Sequence, residues 1–130
     1  MAINLGRAKQ QAEQGGEDLD PIPKGRYILI VDDVELGTSK NGNKKMTVRF
    51  SVDNGTYKNR KIWRDFTFTE KAEVFIALLL KGLESNLLEQ DEVEKEDIVK
   101  DIQGRRTNAW VDIQADPGYK PRNIVNVSTL

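Results

Sequence analysis

Apolar and polar residues alternate most cleanly in residues 46–53. Met46, Val48, Phe50 and Val52 fall on one side, and Thr47, Arg49, Ser51 and Asp53 on the other. A period of two predicts a half-buried strand. Residues 61–69 repeat the pattern: Ile62, Phe66 and Phe68 share a face, with Arg64 the misfit among them, and Lys61, Trp63, Asp65 and Thr67 share the opposite one. Asn54-Gly55 between the two runs is a hairpin signal. Upstream, residues 26–36 predict a longer strand. Ile28 and Ile30 alternate with Tyr27, Leu29 and Val31, and the apolar positions then continue at Val34 and Leu36 between acids. A strand that changes its buried face midway is expected to be coiled or bulged. Asn41-Gly42 predicts the turn that follows it.

Residues 70–81 read as a helix, with Thr67 or Thr69 as its cap, apolar groups at Val74, Phe75, Leu78 and Leu79, and Lys81-Gly82 as its end. One more turn over 83–88 and a short helix over 94–101 are expected next. Residues 107–114 alternate again, with Ala109, Val111 and Ile113 opposite Asn108, Trp110, Asp112 and Gln114. A turn at Asp116-Pro117-Gly118-Tyr119 leads to a last strand over 122–128. Three strands, a helix and two strands is the element order of an OB-fold. The fold class expected is therefore mainly β: a five-stranded OB-fold barrel with a helix between strands 3 and 4, its end plugged by Phe75, Leu78 and Leu79. An open α+β sheet with the same strand order is the competing architecture. Residues 1–20 hold few large apolar groups and read as a flexible or partly helical leader, in which Asn4 caps a weak helix. Residues 21–130 form the domain.

The chain of 130 residues suits one domain with a proper core. It has neither cysteine nor histidine. That excludes disulfides, Cys or His zinc sites, cysteine nucleophiles and every histidine triad. No nucleophile–base pair, phosphate loop or metal spacing is present, so neither an enzyme nor a cofactor is expected. No apolar run is long enough for a membrane span, and a cytoplasmic location is the default. The net charge of −1 conceals segregation: residues 24–68 hold ten Lys or Arg against five acids, whereas residues 69–101 hold four against ten. A polyanion would be drawn to the first block alone, since surface charge acts over roughly 10 Å.

Certain stretches carry a resemblance. They are Gly25-Arg26-Tyr27, Lys40-Asn41-Gly42, residues 54–66 with their Asn-Gly-x-Tyr-Lys-Asn-Arg-Lys-Ile-Trp pattern, Gly104-Arg105 and residues 119–127. In this order and spacing, over about residues 20–130, the chain resembles the bacteriophage single-stranded-DNA-binding proteins of a family long known only as a domain of unknown function. The resemblance implies an OB-fold that coats single-stranded DNA during phage replication or recombination. Phage replication or recombination proteins would be its further partners. Many single-strand binders end in an acidic tail that recruits partners. This chain ends in Ser128, Thr129 and Leu130, which puts such recruitment in doubt.

An OB-fold binds oligonucleotides across the outer face of strands two and three, flanked by two loops. On that frame the outer face supplies Thr47, Arg49, Lys61 and Trp63, with Ser51 among them. The first loop supplies Lys44 and Lys45, beside Lys40. The turn between strands two and three supplies Tyr57, Lys58 and Arg60, and the last hairpin Tyr119, Lys120 and Arg122. Trp63 would stack on a base; the alternative is a bulged strand that puts it in the core. Arg49 would meet a phosphate or a base, or else pair with Asp65 or Asp53. Arg60 is either a phosphate ligand or a turn residue bonding carbonyls. Tyr57 and Tyr119 either meet bases or cover the core rim. Trp110 either contacts DNA or covers an edge, and Arg105-Arg106 either extends the basic track or caps the acidic segment. The acidic block over 91–101 lacks a fixed metal-binding turn and reads as a surface that repels DNA or meets a partner. The expected activity is sequence-tolerant single-stranded DNA binding. The alternative is an OB-fold module that binds a replication or host protein, and homo-oligomer formation through a free strand edge is left open.

Overall fold

The computed structural model describes residues 20–129; the leader reading of residues 1–20 lies, but for Asp20, outside the described residues. All five expected strands are present: β1 (Gly25–Thr38), β2 (Lys44–Val52), β3 (Lys61–Thr67), β4 (Arg106–Gln114) and β5 (Arg122–Asn126). They form one antiparallel sheet in the order β3-β2-β1-β4-β5. Helices α1 (Glu73–Gly82) and α2 (Lys95–Ile102) lie in the connection between β3 and β4, separated by a 3-10 turn over Asn86–Glu89. The protein is thus mainly β, with the helical insertion where the sequence puts it. Among the described residues no helix is long and apolar enough to cross a membrane.

Closure of the expected barrel is not seen among the described residues. β3 and β5 run parallel to one another as the two edges of the sheet, and no ladder joins them among the described residues. Arg64 spans the gap instead: its guanidinium Nη1 donates to the Val125 carbonyl at 2.9 Å, and the group lies 5.3 Å from the Phe66 ring centroid and 6.0 Å from that of Phe75. These partners explain how a cation can sit on the inward parity. The position is on an edge strand, so the guanidinium lies over two rings and still reaches a carbonyl. Burial lowers its pKa, yet an arginine remains a cation.

The expected change of face in β1 is a bulge. Val31 pairs with Phe50 and Asp33 with Arg49, so Asp32 is the extra residue. Leu29, Val31 and Val34 are all buried as a result. The core is the inner face of the sheet, from Met46, Val48, Phe50 and Ile62 to Val111 and Val125, capped by Ile76, Leu79, Leu80, Ile98 and Ile102 from the helices. The α1 face is rotated from the one expected. Val74 and Phe75 are 56% and 43% exposed and Leu78 is half-buried, whereas Ile76, Leu79 and Leu80 are buried. Thr69 accepts from the Ala72 amide and caps the 3-10 turn that leads into α1. At the other end, the Ser85 amide reaches the Leu80 carbonyl and the Glu84 amide that of Lys81. This is a Schellman closure with Glu84, φ 57°, at the left-handed position usually held by glycine. Gly82 lies two residues too early for that role.

Before β1, Ile22 is fully buried. Its amide donates to the Asn123 Oδ1 and its carbonyl accepts from the Asn123 Nδ2. One side-chain amide therefore pairs this extended segment to β5 as a neighbouring strand would.

Candidate nucleic-acid interface

Strand register sets the outer face. Ser51 stands opposite Lys61, Arg49 opposite Trp63, and Thr47 opposite Asp65. Ile62 and Phe66 point into the core, so strand alternation turns Lys61, Trp63 and Asp65 outward. Trp63 is half-buried. It sits at the mouth of a cleft of about 290 Å³ between the edges β3 and β5, lined also by Arg64, Asp65, Arg122, Asn123 and Ile124. The cleft exists because no ladder closes the seam.

Two carboxylates organise the cations of this face. The first is Asp32. The bulge re-aims its side chain across β2, where it accepts from Lys61 Nζ at 2.8 Å, Ser51 Oγ at 3.0 Å and Arg49 Nε at 3.1 Å. Partial burial raises the Asp32 pKa; the Lys61 and Ser51 hydrogen bonds and the charges of Arg49 and Lys61 outweigh it and hold the group below its ordinary value. The second is Asp65, which accepts from Thr47 at 2.6 Å and Lys45 at 2.9 Å. Partial burial again raises its pKa, and these two bonds with the charges of Lys45 and Arg122 bring it below the ordinary value. Residues from the start of β2 and the start of β5 thereby converge on one carboxylate. Asp33 and Glu35, opposite Arg49 and Thr47, make the β1 side of the same face acidic. The cations lie toward β2, β3 and β5.

Of the expected residues, Lys45, Thr47, Arg49, Lys61, Trp63 and Arg122 come together here. Lys44 is exposed at the start of β2, in a hollow it shares with Leu36, Lys45 and Lys95. Tyr119, 79% exposed, and Lys120 stand beside Arg122 on the β4–β5 turn. Three residues belong to the turn at the far end of the face. Tyr57 packs on the core, edge-on to Tyr27 with ring centroids 6.3 Å apart; Lys58 is exposed; Arg60 donates to the Asp20 carbonyl at 2.6 Å. Arg49 does form an ion pair, but with Asp32 rather than Asp65 or Asp53. Arg106 takes Asp53 at 2.6 Å, and Arg105 grips Asp101 and the carbonyls at the end of α1. Trp110 is 37% exposed and donates to Asp112. Asp32 and Asp65 were not among the residues picked from sequence. The acid after Val31 at the change of face was the available signal for Asp32. Among the described residues no cluster of three or more acids is arranged to hold a metal ion.

Residues 9–77, just over half of the chain, match the family described as protein of unknown function, DUF669. The match takes in β1 to β3 and hence both cross-strand pairs around Trp63; Tyr119, Lys120 and Arg122 lie beyond it. No curated protein matches the chain.

Proposed function

The chain belongs to the DUF669 family of proteins of unknown function, and we propose that this member binds single-stranded DNA with little sequence preference. The resemblance to phage single-strand binders extends the proposal to phage DNA replication or recombination. The observation that carries it is Trp63 on the outer face, directly opposite Arg49 and at the mouth of the β3–β5 cleft. A base stacks on the indole; every base offers a π-face, so the contact tolerates any sequence. The backbone runs along β2 and β3 toward the β4–β5 turn. Its phosphates take Arg49 and Lys61 in exchange for Asp32, and Lys45 and Arg122 in exchange for Asp65. The acids of β1 bound the track on its other side. RNA would find the same stacking and charge, and the face holds no group dedicated to a 2′-hydroxyl.

The test is tryptophan fluorescence during titration with oligo-dT at 50 and 200 mM salt. Four phosphate contacts give a log–log salt slope of at most about −3 and a loss of roughly fiftyfold over this range. Displaced carboxylates make the true slope shallower. Trp63→Ala is expected to lower affinity about fivefold to a hundredfold, from a stacking contribution of roughly 1–3 kcal/mol, and Trp63→Phe to retain most of it. Full affinity in Trp63→Ala would remove the indole from the site. Absence of saturable binding at 50 mM salt would leave the protein-interaction module as the function.

A further inference from the structure

We infer that the groove between α1 and α2, lined by none of the β2–β3 surface residues, is a docking site for a basic amphipathic helix of a partner protein. The groove has a volume of about 690 Å³. Its apolar lining comes from Ile76 and Leu80 of α1, Leu87 and Leu88 of the 3-10 turn, Ile98 of α2 and Phe68 after β3. Leu88 is 42% exposed. Its rim carries five carboxylates, Glu73, Asp91, Glu92, Glu94 and Asp97, and its lining contains neither lysine nor arginine; a cation does stand close by at Lys95, whose Nζ lies 5.7 Å from the Phe68 ring centroid.

The rim acids differ in state from the four carboxylates that form ion pairs. Asp32, Asp53, Asp65 and Asp101 each hold a cation within the fold. None of the five rim carboxylates forms an ion pair among the described residues. Unneutralised charge around an exposed apolar floor is a poor arrangement for the isolated chain, because like charges repel across it and the leucine meets water. A ligand with an apolar stripe and flanking cations relieves both. Nucleic acid is excluded by its own charge. Two helices make the walls, so no strand edge is present to pair with an extended peptide, and the groove suits an amphipathic helix seated by its apolar face. The groove's role stands independently of whether the β2–β3 surface binds DNA.

The probe is a synthetic 15-residue peptide of leucine and lysine, with leucines at i, i+3, i+4 and i+7. A second peptide of the same composition, scrambled to destroy the stripe, is the control. Each is titrated at 0.15 M salt into the full chain labelled with ¹⁵N. Saturable amide shifts confined to residues 68–98 are expected. Binding should be at least tenfold weaker for the scrambled peptide and for the Glu92→Lys/Asp97→Lys and Leu88→Asp variants, whose altered side chains are exposed. Equal binding of both peptides, shifts centred elsewhere, or no effect of the charge reversal would overturn the inference. So would sedimentation showing that the chain alone dimerises and that Leu88→Asp abolishes the dimer, since a second copy would then be the occupant.

Discussion

Asp32→Asn should strengthen single-stranded DNA binding, although it removes a residue that lies against the proposed site. In the free protein this one carboxylate holds Lys61 and Arg49 at 2.8 and 3.1 Å. A phosphate approaching the same two cations from solvent, at ordinary hydrogen-bond distance, comes to rest roughly 6 Å from the carboxylate. Repulsion between two unit charges at that separation is about 0.7 kcal/mol in bulk water and about 2.8 kcal/mol at an effective dielectric of 20. The Asp32 side chain is 31% exposed, and salt screening at 0.15 M pulls the figure toward the lower end. A gain of about 1 kcal/mol, or roughly fivefold in affinity, is expected. The salt slope should steepen as well, because two cations begin the reaction with mobile counterions instead of a fixed anion. Asparagine keeps an acceptor for Ser51, and the ion pairs lost are partly exposed ones worth about 0.2–1 kcal/mol each, so the fold should persist. Fluorescence anisotropy with labelled oligo-dT, at matched salt, measures the change. Glu89→Gln removes the same unit of charge from the 3-10 turn between the helices and serves as the control. Unchanged or weaker binding by a folded Asp32→Asn, or an equal gain in Glu89→Gln, would refute the exchange of carboxylate for phosphate.

Two further outcomes concern stability. Asp32, Asp65 and Asp101 all have folded pKa values below the ordinary one. The native state therefore binds fewer protons than the unfolded chain as the pH falls through this range. Their stabilisation is complete above about pH 5, diminishes as the pH falls past the unfolded value and is lost as it drops through the folded values. Melting temperature followed by circular dichroism should decline from pH 5 to 3, and less steeply in Asp32→Asn/Asp65→Asn; equal slopes would show that these pairs carry no linkage. Glu84→Gly should raise stability by about 0.5–1 kcal/mol in urea denaturation. It relieves a left-handed conformation that costs a side-chain-bearing residue roughly 1–2 kcal/mol, partly offset by the greater freedom of glycine when unfolded. A loss of stability would mean that the Glu84 side chain contributes something its backbone position does not reveal.

The elements that could be read from the chain are those whose periodicity carries a phase. β2 alternates strictly and β3 does so but for Arg64, so the outward direction of Trp63, Arg49 and Lys61 followed from counting by two. α1 did not offer that. Residues 74–80 are apolar throughout, and a run without polar breaks cannot say which side of a helix is buried. Contact with the sheet chose Ile76, Leu79 and Leu80 over Val74 and Phe75. Arg64 was visible as a misfit, but only its position on an edge strand facing the Val125 carbonyl explains it.

Local pattern alone determined five strands, their faces, the helical insertion and the separation of basic from acidic segments. These depend on side-chain alternation and turn chemistry within a few residues. The folded chain decided what joins residues distant in sequence. The bulge brings Asp32 to Lys61 across β2, the unladdered seam opens a cleft beside Trp63, and two helices with the segment between them set around an apolar floor five carboxylates that form no ion pair among the described residues. Alternation says which way a side chain points; only the path of the backbone in space says what it meets there.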